Sequence, residues 1–341
     1  EVHAALDAGV APLTSAYADA ALADTILLVG SNAYETQTNY FLVHMIPNLG
    51  GATLDRKRAT FGDEAVEAGR MIIVDPRRTM TVATAEAAGG ADRVLHLMIE
   101  PGADIALLNA IGRIILERRW HDVAFIRAHT EWQTFEAYQR STLAVDRPLA
   151  EVVAEGARIA GVPASQIYKA AEWIAAPKRD GSRRRTLLHY EKGLIWGLKN
   201  YENIAAIVDL ALLTGNLGRP GTGCSRMGGH QEAYVRPPYP GGRPALNVDE
   251  AVRRGEVKFY WVGGCNPVLT TLRAEAMEAA LRERGALVTA ALDRSEGRPV
   301  GERVARVVDA LKQGGMFVTV QDIYMTATAR HAQLILPAAT W

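Results

Sequence analysis

The hydrophobic pattern of this chain alternates short apolar runs with longer amphipathic stretches. Thr25–Val29, Met71–Val74 and Val94–Met98 are apolar runs of strand length, and each ends at turn-forming residues. Runs of this kind are typical of strands that a parallel sheet buries on both faces. Asp104–Arg118 has apolar side chains at helical spacing and an acidic residue in its first turn. The first part of the chain therefore predicts a series of βαβ units.

The second part of the chain repeats this plan. An apolar helix is predicted at Asn203–Leu213. The predicted strands are Thr186–Tyr190, Val257–Val262, Met316–Val320 and Leu334–Leu336. Strands followed by ligand-facing turns and helices in both parts predict an α/β fold with two doubly wound domains.

The boundary between these domains is placed at a basic stretch. Residues 140–185 are predicted to be mostly helical and end in the glycine-containing run Lys178–Arg185. We interpret this run as a solvated linker rather than a nucleic-acid site, because no aromatic side chains are interleaved with its charges. The predicted domains are therefore 1–180 and 181–341.

Composition excludes several classes of protein. Lys plus Arg and Asp plus Glu are 38 each, so no net field would draw the chain to nucleic acid or to an anionic lipid surface. No apolar run approaches the ~20 residues that span a bilayer, so no transmembrane segment is predicted in this chain. Its two cysteines, Cys224 and Cys265, form no CxxC motif and are interpreted as small apolar side chains. No metal-ligating residue is predicted.

Polar residues follow the predicted strands, at the edge of a parallel sheet where ligands bind. Asn32 and Asp75 each follow a strand of the first domain, and Asn266 and Asp322 do so in the second. Two such edges could hold two nucleotides. Neither has a G-x-G-x-x-G or P-loop sequence, which argues against a plain NAD enzyme or an NTPase. Asp75 and Asn266 each precede a proline, so shaping a turn is the alternative role for both.

The stretch Gly218–Pro240 is rich in glycine and proline and is predicted to be a loop, neither a long helix nor a central strand. Only three residues separate Arg226 from His230 in it. A guanidinium with five fixed donors and a nearby imidazole suit a small oxyanion or a hydroxylated acid. The alternative is a surface loop in which both side chains are merely solvated.

Several strings resemble, in the same order, the large subunits of arsenite oxidases, a branch of the molybdopterin oxidoreductases related to dimethyl sulfoxide reductase. The strings are YETQTNYFL at 34–42, VDPR at 74–77, RVLHL at 93–97, IEPGAD at 99–104, YEKG at 190–193, RMGGHQE at 226–232 and RPPYPG at 236–241. The resemblance covers essentially the whole chain. It implies two Rossmann-like domains and an internal fragment of a longer protein, incomplete in the first domain and truncated in the second.

The resemblance also implies an activity and a cofactor. The activity is oxidation of arsenite to arsenate by oxo transfer, with two electrons passed to an external acceptor. The implied substrate residues are Arg226, His230 and Glu1. The implied cofactor is molybdenum bound by two molybdopterin guanine dinucleotides, with no metal ligand from the protein. The implied contacts are Asn32, Asp75, Arg77, Gly102 and Asp104 for one dinucleotide, and Asn266, Asp322, Lys192 and Gly193 for the other.

Further expectations rest on the same resemblance. They are an iron-sulfur cluster in sequence before Glu1, a Rieske-type small subunit, a cytochrome c or azurin as electron acceptor, and a periplasmic location. The fragment alone is expected to be inactive. Two alternatives remain open: a related enzyme such as an iodate reductase, and a non-catalytic scaffold subunit that retains the fold.

Overall fold

The computed structural model describes residues 15–197, 199–227 and 245–339. The eight described strands are β1 Thr25–Val29, β2 Arg70–Val74, β3 Val94–Leu97, β4 Thr186–Tyr190, β5 Gly223–Arg226, β6 Phe259–Gly263, β7 Phe317–Asp322 and β8 Leu334–Pro337. Every strand pairing is parallel, and two sheets form, ordered β3-β2-β1-β4-β5 and β6-β7-β8. This confirms the predicted α/β fold class.

Helices connect these parallel strands. The α-helices are α1 Ala33–Thr36, α2 Thr38–Tyr40, α3 Ile46–Leu49, α4 Leu54–Phe61, α5 Met80–Gly89, α6 Asp104–Glu117, α7 Val123–His129, α8 Trp132–Ser141, α9 Leu149–Ala160, α10 Ala164–Ala175, α11 Lys192–Ile195, α12 Asn200–Thr214, α13 Ala245–Arg253, α14 Pro267–Thr270, α15 Ala274–Asp293 and α16 Val300–Lys312. Shorter elements are the 3₁₀-helices Tyr17–Ala21 and Ala329–His331 and the π-helical turn Phe41–Met45. None of the helices in the described part of the chain has the length and apolar character needed to cross a membrane.

The first sheet is buried on both faces, as its continuous apolar strands predict. In β1, Leu27 and Val29 pack into one core with α6, α9, α10 and α12. Ile26 and Leu28 point the other way and pack into a second core with α2, α5 and the π-helical turn. Because successive side chains of a strand alternate between faces, the four apolar residues of this one strand supply both cores. This part of the chain is therefore doubly wound.

The chain divides into the units Glu1–Tyr234 and Val235–Trp341, and the predicted division at 180/181 is wrong. The strand that opens the predicted second domain, β4, pairs in parallel with β1, with Thr186 opposite Thr25. β5 then pairs with β4. A sheet held by these hydrogen bonds cannot be separated at residue 180, so the first unit includes both strands.

The basic run before β4 is not a solvated linker. Lys178, Arg184 and Arg185 are all buried. Arg185 pairs with Glu64 at 2.8 Å, and Arg184 pairs with Glu67 at 2.5 Å. The Arg185 backbone N–H also donates to the buried Asp24 carboxylate at 2.9 Å. The buried part of the run therefore packs within the first unit just before β4 begins, and its three buried cations pair with acids distant in sequence.

The second unit has a smaller core. Val262, Val318 and Val320 of its sheet pack with Met277 and Leu281 of α15. On β6, Phe259 and Trp261 alternate with the half-buried Tyr260 and the buried Val262 and are 54% and 57% exposed. The described part of this sheet thus has an apolar side that the described residues cover only in part.

Candidate functional site

The predicted site residues of the first unit that the structure describes lie at one edge of its sheet. Parallel strands end on the same side, so the turns after β1 to β4 and the last residue of β5 meet there. These positions carry Asn32, Asp75, Arg77, Gly102, Asp104, Lys192, Gly193 and Arg226. The predicted positions of Asn32 and Asp75 at carboxyl ends of strands are confirmed. Glu1 and His230 lie outside the described residues.

The centre of this edge is the crevice beyond the carboxyl ends of the paired strands β1 and β4. The chain leaves β1 toward β2 and β3 and returns to the other side of β1 as β4, which makes this crevice the topological switch point. Gly193 donates its N–H to the Gly30 carbonyl at 3.0 Å. A Cβ on Gly30 would lie 2.5 Å from the Leu194 nitrogen, and one on Gly193 would lie 2.7 Å from the Gly30 Cα. Both glycines are therefore required by close backbone packing.

Asp75 follows β2 directly and is buried. Its Oδ1 accepts the Arg77 backbone N–H at 2.8 Å, and its carbonyl oxygen lies 2.9 Å from His96 Nε2. The first bond is a turn-forming contact, so the turn-shaping role is real. The position is also the one from which an acid reaches the sugar of a dinucleotide in this type of sheet, with the exposed Arg77 beside it.

The turns after β1 and β3 complete this side of the edge. Asn32 Oδ1 accepts from the Thr81 hydroxyl at 2.8 Å, which ties the turn after β1 to α5. Gly102 has a φ of +87° and open space where a Cβ would point. Asp104 is buried in the first turn of α6, and burial raises the pKa of its carboxyl. The two turns thus offer an amide, a carboxyl and a stretch of bare backbone.

Arg226 lies on β5 rather than in a loop, contrary to the prediction for this part of Gly218–Pro240. β5 is an edge strand, so proline and glycine nearby do not interrupt the sheet. Arg226 is 4% exposed, and its Nε lies 3.3 Å from Oε1 of the equally buried Glu191. Glu191 Oε2 has no hydrogen-bond partner within the described ranges. The guanidinium is therefore a buried, ion-paired group at the sheet edge.

A second buried contact holds the end of β5. The Ser225 carbonyl lies 3.1 Å from His189 Nδ1, and the Tyr40 hydroxyl lies 2.8 Å from His189 Nε2. A carbonyl can only accept, so Nδ1 carries the proton and Nε2 accepts from Tyr40. Burial lowers the pKa of His189 to about 4, which keeps the ring neutral near pH 7.

Sequence reasoning missed both of these buried contacts. The available signal was weak: His189 and Glu191 are polar residues within and just after the apolar run of β4. Their partners on β5 lie about 35 residues further along the chain and become neighbours only through the pairing of β4 with β5.

The second unit repeats this arrangement of turns. Asn266 follows β6, and its Oδ1 accepts from the Thr328 N–H at 3.1 Å and from the Thr328 hydroxyl at 2.7 Å. Asp322 ends β7, and its Oδ1 accepts the Tyr324 N–H at 3.0 Å. The Asp322 bond matches the one from Asp75 to Arg77, two residues on, in the first unit. The predicted carboxyl-end positions of both residues are confirmed.

Within the described part of the chain, neither cysteine belongs to a metal-ligand cluster. Burial raises the pKa of the Cys224 thiol to about 12, whereas Cys265 is exposed after β6. Across residues 15–197, 199–227 and 245–339, no three His, Cys, Asp or Glu side chains lie close enough together to hold a metal ion.

Comparisons with known proteins agree on one family. The model of the molybdopterin oxidoreductase family matches residues 7–294. The arsenite oxidase subunit AioA of Herminiimonas arsenicoxydans is 41% identical over 99% of this chain and 40% of that subunit. The iodate reductase subunit IdrA of Denitromonas iodatirespirans is 32% identical over 98% of this chain and 38% of that subunit. The chain thus spans about 40% of the length of these relatives.

A comparison with solved structures finds acetylene hydratase from Pelobacter acetylenicus. That alignment has a TM-score of 0.47 and 19% sequence identity, and it covers 96% of this chain and 42% of the hydratase.

Proposed function

Because the chain belongs to the molybdopterin oxidoreductase family, we propose that it is the central part of a catalytic subunit that oxidises arsenite to arsenate. The observation that carries this proposal is the buried Arg226, fixed at the same sheet edge as the cofactor-type turns of the first unit. The 41% identity to an arsenite oxidase subunit supports arsenite as the substrate.

The family uses a molybdenum–molybdopterin cofactor, and we propose the form with two guanine dinucleotides. The turns fit such groups: Asp75 is placed to accept from a sugar or base, the exposed Arg77 can pair with phosphate, and Gly102 lets a ligand approach the backbone. Asn32 and Asp104 lie at the same edge. Lys192 and Gly193 also lie there, because β4 belongs to the first sheet, so their grouping with Asn266 and Asp322 is wrong. Asn266 and Asp322 offer a matching edge in the second unit for the second dinucleotide.

One of these residues has a role that packing already explains. Gly193 must be glycine because its backbone packs against Gly30. We therefore propose that it contributes to the cofactor site by letting the turns after β1 and β4 approach each other closely. Lys192 begins α11, and its Nζ lies 4.7 Å from the centre of the Trp196 ring. We propose that Lys192 supplies a positive charge to the anionic cofactor from this position.

The chemistry that the metal centre supplies when bound is oxo transfer together with uptake of two electrons. The protein must bind a neutral triol and release an anion. We propose that the guanidinium of Arg226 donates hydrogen bonds to the arsenic-bound oxygens in both states. By resemblance, we propose that His230 also donates to the substrate and that Glu1 accepts from a substrate hydroxyl.

The remaining expectations for the whole protein are part of the same proposal. They are an iron-sulfur cluster, a Rieske-type small subunit, a cytochrome c or azurin as acceptor, and a periplasmic location. They rest on the similarity to an arsenite oxidase subunit.

The competing candidate is an iodate reductase, since an iodate reductase subunit is 32% identical to this chain. Both reactions are assayed with the purified full-length protein: arsenite with an oxidised dye, and iodate with a reduced dye. Arsenite turnover with negligible iodate reduction supports the proposal. The reverse result assigns the chain to the competing reaction. Absence of molybdenum from the purified protein would favour the non-catalytic scaffold.

The role of Arg226 is tested in the same protein by Arg226→Ala and Arg226→Lys. Losing one charge-assisted hydrogen bond of about 1.5–3 kcal/mol should lower kcat/KM for arsenite roughly tenfold to a hundredfold at unchanged molybdenum content. Lysine should restore only part of the activity, because a point charge cannot reproduce the planar fork. Arg58→Ala, at an exposed surface pair, serves as the matched control. Parent-rate oxidation by Arg226→Ala would remove Arg226 from the substrate site.

A further inference from the structure

Glu191 is held rigidly at the switch point of the first sheet. Its backbone N–H donates to the Val29 carbonyl at the end of β1, at 3.1 Å. Its own carbonyl accepts from Leu194 at 3.0 Å and from Ile195 at 3.2 Å, in the first turn of α11. A residue with both backbone groups bonded in this way has a fixed position relative to the turns after β1 and β4.

The side chain of Glu191 carries this fixed position across to β5. β4 and β5 pair with Tyr190 opposite Arg226, so Glu191 lies one residue beyond the last pair. Its carboxylate is 3.3 Å from Arg226 Nε, and the two side chains are 6% and 3% exposed. Oε1 of Glu191 accepts this hydrogen bond from Arg226. Oε2 of Glu191 has no hydrogen-bond partner among the described residues.

Because this ion pair is buried, it both neutralises the charge of Arg226 and orients its guanidinium. A buried guanidinium without a counter-ion is costly, so the carboxylate stabilises Arg226 in this environment. The guanidinium is planar, and a bond at Nε fixes the direction of its plane and of both terminal nitrogens. A small change at Glu191 would therefore turn the donors that Arg226 presents.

On this geometry, and resting on the proposed function, we propose that Glu191 is a positioning residue that aims Arg226 at the substrate. It links the switch point, where the cofactor-type turns meet, to the arginine that binds the oxygens of arsenite. Glu191 itself acts through Arg226 and does not touch the substrate. Replacing Glu191 should therefore lower kcat/KM for arsenite only slightly in a variant that already lacks Arg226.

The test uses the full-length, molybdenum-loaded protein and the variants Glu191→Gln, Arg226→Ala and their combination. Glutamine keeps an acceptor for Nε–H but removes the charge. We expect Glu191→Gln to lower kcat/KM for arsenite about tenfold, and to weaken equilibrium binding of arsenate, the product, to the oxidised protein by a similar factor. In the Arg226→Ala background, the same change should have an effect of less than about twofold.

Two further variants separate positioning from charge and from general structure. Glu191→Asp keeps the charge but withdraws it by one methylene, so it should also weaken arsenate binding. Glu100→Gln changes an exposed acid that follows β3 at the same sheet edge, and it should behave like the parent. Molybdenum content and melting temperature are measured for each variant.

The possible outcomes distinguish this inference from the proposed function. If Arg226→Ala weakens arsenate binding but Glu191→Gln does not, positioning by Glu191 is wrong and the proposed substrate role of Arg226 stands. If Arg226→Ala has no effect, the proposed role fails, and the inference fails with it. Equal losses from Glu191→Gln with and without Arg226 would also overturn positioning. Failure of the Gln variant to accumulate with molybdenum would assign Glu191 a structural role and overturn the inference.

Discussion

The turns at the carboxyl ends of the two sheets have similar hydrogen bonds, but the packing around them is very different. In the first unit, β1 and β4 are buried throughout, and the turns after them touch backbone to backbone at Gly30 and Gly193. In the second unit, β6 has exposed aromatic side chains, and a Cβ on Gly264 would have no described residue other than its chain neighbours within 4 Å. The comparison shows that a turn can keep its hydrogen-bond pattern while the packing beneath it differs. Stability at the two edges should therefore respond differently to the same substitution.

The largest contrast is expected between Gly30→Ala and Gly264→Ala. Both glycines follow a strand and have nearly the same left-handed φ, +62° and +61°. Left-handed strain of about 1–2 kcal/mol applies to both variants. Only Gly30→Ala adds a clash with backbone, which raises its expected cost to about 4 kcal/mol.

Thermal and denaturant unfolding of the full-length variants measure this difference. Gly264→Ala is the matched control for the strain alone. Equal costs for the two alanine variants would show that the close contact of Gly30 with α11 does not hold the first edge together.

The next contrast concerns a half-buried acid of the first unit. Asp209 on α12 lines a cavity of about 400 Å³ together with Tyr138 of α8, and burial raises its pKa to about 6. The unfolded value is about 3.9, so between these pH values the folded chain holds a proton that the unfolded chain has lost. This acid therefore contributes stability below about pH 4, and that contribution is lost as pH rises through 6.

Asp209→Asn removes this titration. We expect the variant to gain about 2–3 kcal/mol in the free energy of unfolding at pH 7 and nothing at pH 4. Asp309→Asn, at a surface pair of the second unit, should change stability by less than about 0.5 kcal/mol at either pH. A gain for Asp209→Asn that did not depend on pH would contradict the assigned shift.

The smallest effects are expected at Asp75 and Asp322, which occupy similar turns in the two units. Asp75 and Asp322 each accept the backbone N–H two residues on, and both are proposed cofactor contacts. Asparagine keeps that turn-forming acceptor but removes the charge. If the carboxylates also bind the dinucleotides, Asp75→Asn and Asp322→Asn should each weaken cofactor retention about tenfold, near 1.4 kcal/mol.

Molybdenum and guanine nucleotide content after dialysis of the full-length protein measure retention. Alanine at the same positions separates the turn from the ligand contact. Parent-like molybdenum content in both asparagine variants would leave only the turn-shaping role, which the proline after Asp75 already indicates for that residue.

The strands of the first sheet were predictable where apolar runs are bounded by turns. Thr25–Val29 and Thr186–Tyr190 have the predicted bounds, since nothing in these runs competes with a buried strand. Gly223–Arg226 was not predicted, because an edge strand of glycine, cysteine, serine and arginine has no apolar pattern. Its strand conformation comes from pairing with β4, which is a tertiary effect.

The domain boundary and the surroundings of Arg226 were unpredictable for a related reason. Lys178–Arg185 has the composition of a linker, and its acidic partners Glu64 and Glu67 lie more than a hundred residues earlier. Arg226 could be singled out from its motif, but Glu191 could not be identified as its partner. Ion pairs between distant residues follow from strand order and register, which local patterns do not specify.

The pairing of β1 with β4 also has a consequence for synthesis of the protein. Residues 25–29 leave the ribosome long before residues 186–190, yet the two strands lie side by side at the centre of the sheet. Until β4 emerges, one edge of β1 is unpaired, and Gly30 lacks the backbone of Gly193 and Leu194 that packs against it in the folded chain. Pairings this distant along the chain close slowly, because a long loop must be ordered first. A growing chain therefore has no complete switch point, and a cofactor held there as proposed would bind only after the strand ending in Tyr190 has been made and docked.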